Sequence, residues 1–68
     1  MNKSFSLKGK NILITGAGSG IGRSTAIIAS QMGATVILVD INEEGMKETL
    51  SRFDKQNAGH SYYVVNLM

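Results

Sequence analysis

Three short apolar runs punctuate the chain: Asn11 to Thr15, Thr35 to Val39 and Ser61 to Val65. Each is rich in Ile, Val or Tyr and about five residues long, which favours strand over helix. Lys8-Gly9-Lys10 reads as a turn into the first run. Between the runs the spacing changes to that of a helix. Ile21, Thr25, Ile28, Ala29 and Met32 share one helical face, and Gly33 follows as a stop. Met46, Leu50 and Phe53 share a face of a second helix, with Asn42 as its N-cap and Glu43 and Glu44 in its first turn, where the helix dipole favours anions. Glu48 and Arg52 form an i,i+4 pair, and Asn57-Ala58-Gly59 is expected to end this helix.

The order is therefore β-α-β-α-β. Alternation at this spacing implies parallel strands with right-handed crossovers, both helices on one side of the sheet and strand order 3-2-1. The fold class expected is α/β: the N-terminal βαβαβ half of a Rossmann-type doubly wound parallel sheet, incomplete, with residues 1–68 as a partial dinucleotide-binding domain. Ile12-Leu13-Ile14 and Val36-Ile37-Leu38-Val39 are apolar at successive positions, so both faces of the sheet ask for burial. Two helices on one side cover only one face, and the isolated chain is expected to self-associate.

Composition narrows the classes. The chain has 68 residues and no cysteine, so disulfides and thiolate metal sites are excluded. A net charge of +2 without a run of like charges argues against a nucleic-acid arm. No signal-like or membrane-length apolar run occurs, which makes cytoplasmic residence without a membrane partner the expectation.

The informative segment joins the first strand to the first helix: Thr15-Gly16-Ala17-Gly18-Ser19-Gly20-Ile21-Gly22. Its glycines are poor helix formers, so another demand explains them: a sharp turn and close approach of an anion to main-chain N–H groups at a helix start. The spacing is not that of a P-loop, which would need Gly at Ala17 and Lys at Arg23. It is not Gly-x-Gly-x-x-Gly either, because Ile21 stands where the third glycine belongs. Thr-Gly-x-x-x-Gly-x-Gly fits, through Thr15, Gly16, Gly20 and Gly22. Asp40 ends the second apolar run, 18 positions after Gly22, near the offset of a ribose-binding acid. The alternative for Asp40 is a turn residue ahead of the Asn42 cap.

This arrangement resembles the short-chain dehydrogenase/reductase family from about Leu7 to Leu67, which is the first quarter or so of a typical member. The resemblance implies a dinucleotide ligand and an oxidoreductase moving hydride between it and an alcohol or carbonyl substrate. In the cofactor site so implied, Gly16 would make the tight turn, Gly20 would leave room for the pyrophosphate and Gly22 would let the helix lie close on the strand, with Ser19 and Ile21 lining the cofactor. Asp40 would take the adenosine ribose with Ile41 beside it, and Asn66 would stand where the family usually has an Asp facing the adenine. Asn66 is equally readable as a strand-end residue. NADP-preferring relatives usually carry a basic residue just after the acid or within the glycine turn. Here Ile41 and Ser19 hold those positions and Arg23 belongs to the helix, so NAD is favoured over NADP. A homo-oligomer is implied for the complete protein.

The family's Tyr-x-x-x-Lys signature has no counterpart. Asn66 follows Tyr62 at that spacing and Leu67 follows Tyr63, so both tyrosines read as strand residues and no catalytic residue is assigned. His60 reads as a solvated loop histidine, and no metal set is evident. Two further readings stay open: a nucleotide-binding module without chemistry, and an inert remnant.

Overall fold

The computed structural model describes residues 6–53 and 59–66. It contains β1 (Asn11–Thr15), α1 (Gly20–Gln31), β2 (Thr35–Asp40), α2 (Glu43–Ser51) and β3 (Ser61–Val64). The sheet runs β1-β2-β3 with parallel pairing throughout, the expected order read from the other edge. Leu13 lies opposite Ile37, and Val39 lies opposite Tyr63. Val65 extends the last ladder by one bond, from its N–H to the Asp40 carbonyl at 3.0 Å.

The pleat divides the strands into two rows. Ile14, Val36 and Leu38 turn toward the helices and form one core with Ala26, Ala29, Met46 and Phe53, edged by Ile12, Leu50 and Tyr62. The other row is open at its flanks, where Leu13 is 60% exposed and Tyr63 57%, while Val39 on the central strand is buried. The strands are thus apolar on both faces, as their sequence requires, and the two helices cover one.

The second helix forms as its sequence demands. The Asn42 side chain accepts from the Gly45 N–H at 3.0 Å, Glu43 and Glu44 occupy the first turn, and Met46 is buried. Arg52 Nε donates to Glu48 Oε2 at 2.9 Å on the exposed side. The helix ends earlier than expected, with Arg52 as its C-cap. Of the residues expected to stop it, Asn57 and Ala58 lie outside the described residues, and Gly59 comes after the chain has left the helix. At the end of α1 the Gly33 N–H donates to the Ser30 carbonyl and the Ala34 N–H to the Ala29 carbonyl, each at 3.1 Å, which closes the expected glycine stop.

Two expectations fail. The face of α1 that meets the sheet is not that of Ile21, Thr25 and Ile28. Ala26, Ala29 and Ser30 are buried, while Ile21 is 86% exposed and Ile28 51%. The cause is distance. A β-carbon on Gly22 would stand 2.1 Å from the Gly16 carbonyl oxygen, so the start of α1 lies against the turn that follows β1 with room only for small side chains. Ile21 and Ile28 are displaced to the other side, and Ile27 packs at the edge of the core. His60 is the second case. It is half-buried: its Nδ1 accepts from the Val36 N–H at 2.9 Å and its ring meets Phe53 edge-on at 4.7 Å. The ring satisfies a β2 amide one step before β3 begins to pair at Ser61.

Candidate functional site

Parallel pairing brings the C-terminal ends of all three strands to one edge of the sheet, and the sequence places its most irregular backbone there. The turn from β1 to α1 begins with the Gly16 N–H bonded to the Val39 carbonyl at 2.9 Å. It then runs past the tip of β2 into Ser19, the extended N-cap of α1.

The turn has two unlike sides. Gly18 and Gly22 face protein: a β-carbon on Gly18 would come within 2.7 Å of Asp40 Oδ2, and the one on Gly22 would collide with Gly16. Gly16 and Gly20 face outward. Both have left-handed backbone, with φ of +68° and +60°, and a β-carbon on either would meet nothing within 4 Å. The turn is therefore fastened from behind and clear in front, at the start of a helix whose free N–H groups attract an anion. The start of α1 carries no acidic residue, and the Ser19 side chain makes no cap to it. Such a turn leaves main-chain N–H groups open to the approach of an anion.

Asp40 closes the site on the β2 side. Its Oδ2 accepts from the Gly18 N–H at 2.8 Å and its Oδ1 from the Asn42 N–H at 3.1 Å. The Asn42 N–H and then the Gly18 N–H hold its carboxyl below the ordinary value of 3.8, so it is charged at neutral pH. Asp40 thus performs the turn role that was its alternative reading and grips the glycine turn as well. Ile41 follows it and is exposed. Ser19 and Ile21 are exposed at the start of α1, and Asn66 is exposed beyond the end of β3. Gly16, Ser19, Gly20, Ile21, Gly22, Asp40, Ile41 and Asn66 all fall at or beside this edge of the sheet, with Gly22 on its inner side.

Sequence reasoning overlooked the supports of the site. Arg23 donates from Nη2 to the carbonyls of Gly18 at 2.7 Å and Gly45 at 3.1 Å, and from Nε to Thr49 Oγ1 at 2.9 Å. The Thr49 hydroxyl lies 2.7 Å from the Ala17 carbonyl and 3.0 Å from that of Gly45. Gly45 is needed because a β-carbon there would stand 2.3 Å from the Gly18 carbonyl oxygen. A readable signal existed: a glycine inside a nine-residue helix, one turn before a buried threonine, marks a face in close contact with backbone.

The other polar groups have structural tasks. The Tyr62 hydroxyl donates to Glu43 Oε2 at 3.0 Å, and that bond pushes its pKa up. This is the opposite of the lowering that an acid-base tyrosine needs. Among the described residues no cluster of His, Cys, Asp or Glu suits a metal, and no helix is long and apolar enough to cross a membrane.

A family model for short chain dehydrogenases matches residues 10–68. The chain belongs to that family. Within it, the segment is the Rossmann-like N-terminal region. It is 41% identical over 61 residues to the short chain dehydrogenase/reductase astE of Aspergillus oryzae, covering 90% of this chain and 23% of that protein. It is 41% identical over 64 residues to mouse estradiol 17-beta-dehydrogenase 11, covering 94% and 22%. Among solved structures, the oxidoreductase yciK from Escherichia coli superposes with a TM-score of 0.86 at 34% identity, covering 98% of this chain and 28% of that one. A short chain dehydrogenase from Escherichia coli CFT073 complexed with NADPH gives 0.85 at 34% identity, covering 97% and 28%. The chain thus spans about a quarter of the length of these relatives.

Proposed function

We propose that residues 1–68 form part of a dinucleotide-binding domain that takes NAD in preference to NADP, in a dehydrogenase acting between an alcohol and its carbonyl counterpart. The turn from Gly16 to Gly22, with Ser19 and Ile21 at its outer side, holds the pyrophosphate. Asp40 accepts from the adenosine ribose with Ile41 alongside, and Asn66 offers a carbonyl to the adenine amino group. Bound NAD supplies a nicotinamide ring that accepts or returns hydride. The residues here bind and orient it, and none of them matches the family's catalytic Ser, Tyr and Lys.

One observation carries the choice of NAD. Asp40 is charged at the tip of β2, and the nearby cation, Arg23, is committed to the carbonyls of Gly18 and Gly45 and to Thr49. Among the described residues, a 2′-phosphate would meet the carboxylate with Arg23 already engaged elsewhere. The Escherichia coli CFT073 structure, a protein 34% identical, holds NADPH and does not favour this choice.

Calorimetric titration of the native polypeptide with both dinucleotides tests the reading. NAD is expected to bind the more tightly, and Asp40→Ala to erode the difference, since each hydrogen bond to a charged acceptor is worth about 1.5–3 kcal/mol. Tighter binding of NADP by the unmodified protein overturns it. A nucleotide-binding module without its own chemistry is the second reading, favoured by Tyr62, whose hydroxyl donates to Glu43 and keeps its proton. Hydride transfer by the 68-residue chain alone would exclude it.

A further inference from the structure

The glycine turn is fastened to the rest of the protein by two side chains outside the Thr-Gly-x-x-x-Gly-x-Gly positions. Arg23 projects from the first turn of α1, and Thr49 lies wholly buried on α2. Their hydrogen bonds form a directed chain: Arg23 Nε–H to Thr49 Oγ1, and the Thr49 hydroxyl to the Ala17 carbonyl. Arg23 Nη2 holds the next carbonyl, that of Gly18. Two successive peptide units of the turn are thus gripped by their oxygens.

A trans peptide unit is planar, with its C=O and N–H pointing in opposite directions. Drawing the Ala17 oxygen toward Thr49 therefore turns the Gly18 N–H the other way, where it meets Asp40 Oδ2 at 2.8 Å. The same geometry in the next unit turns the Ser19 N–H away from Arg23. Ser19 is the exposed N-cap of α1, so that N–H belongs to the start of the helix, where the side chain supplies no cap.

We propose that Arg23 and Thr49 are positioning residues for the dinucleotide site: they set the direction of the Gly18 and Ser19 N–H groups and thereby fix the Asp40 carboxylate in place. The proposal rests on the reading of this edge as an NAD site. The residue types suit the task. A planar guanidinium serves three acceptors on two separate elements from two of its nitrogens, which the single ammonium of lysine does not reproduce. A hydroxyl accepts from one group while donating to another, which valine cannot do.

The test separates aiming from packing. Thr49→Val keeps the shape and loses the hydroxyl, whereas Thr49→Ser keeps the hydroxyl and loses a methyl group. At a fully buried position, packing alone makes Ser the more damaging change, and positioning makes Val the more damaging one. Two quantities are read in the native polypeptide: the NAD dissociation constant, and the titration midpoint of the Asp40 carboxyl by carbon NMR without cofactor. Thr49→Val and Arg23→Lys are expected to weaken NAD about tenfold, the equivalent of one charge-assisted hydrogen bond. Both should move the Asp40 midpoint up toward 3.8. Thr49→Ser should restore both readings to nearly those of the unmodified protein. Equal behaviour of Val and Ser, an unmoved Asp40 midpoint in Arg23→Lys, or loss of the fold in both Thr49→Val and Arg23→Lys overturns the proposal. Should the unmodified protein fail to bind NAD, the NAD reading falls while the Asp40 midpoint still decides this inference.

Discussion

The two helices begin in opposite ways. At the start of α2 the chain supplies what a helix N-terminus needs: Asn42 accepts from the Gly45 N–H, and Glu43 and Glu44 place negative charge at the positive end of the dipole. At the start of α1 it supplies neither, since Ser19 makes no side-chain cap and the first turn is free of acid. Four glycines occupy the approach to α1 and its first turn. The same backbone dipole is answered by the chain's own side chains in one helix and left unanswered by them in the other. An end left without its own cap, on a backbone clear in front and anchored behind, is the feature on which the proposed pyrophosphate site rests.

The largest expected effect comes from removing the close seat that makes the start of α1 possible. Gly22→Ala sets a methyl group against the Gly16 carbonyl, backbone against backbone, and should cost about 3 kcal/mol or more, read by urea or thermal unfolding. Making α1 resemble α2 comes next. Ser19→Asp supplies both a cap and a charge, so stability should rise by about 1 kcal/mol. NAD affinity should fall roughly tenfold, because an aspartate would then occupy the end the pyrophosphate needs. A rise in both would show that this end is not the anion site. The smallest change makes α2 resemble α1: Asn42→Ala should lower stability by about 1 kcal/mol in the same unfolding measurement. The Asn42 N–H that holds Asp40 belongs to the backbone, so NAD affinity should hardly change.

What the sequence disclosed follows from which interactions are local. The strands were legible because runs such as Val36 to Val39 suit a sheet buried on both faces, and α2 because Asn42, the two glutamates and the Met46–Leu50 spacing agree with one another. The glycine turn and Asp40 were legible as a spacing. The burial of α1 was not. Apolar volume points to Ile21 and Ile28, but at backbone contact distance the inner face selects for smallness, and Gly22, Ala26 and Ala29 carry no hydrophobic signal of that size. Arg23 and Thr49 stayed hidden because their partners are main-chain carbonyls in another part of the chain, and a carbonyl has the same appearance in every sequence. His60 was misread for the same reason, since its acceptor role depends on the amide of Val36.

The bond from Gly18 to Asp40 has a consequence for how cofactor preference changes over evolutionary time or in the hands of an engineer. The acid that would choose between two dinucleotides also holds the loop that would bind either one. Exchanging it for a small neutral residue, the simplest route toward accepting a 2′-phosphate, frees the ribose pocket but unhooks the turn. The intermediate protein would then hold both cofactors poorly. A workable path supplies a new acceptor for the Gly18 amide before or together with the loss of Asp40, or it leaves the carboxylate in place and introduces the phosphate-binding cation at Ile41. In this architecture, replacing Asp40 is a paired change, and its loss alone meets a valley.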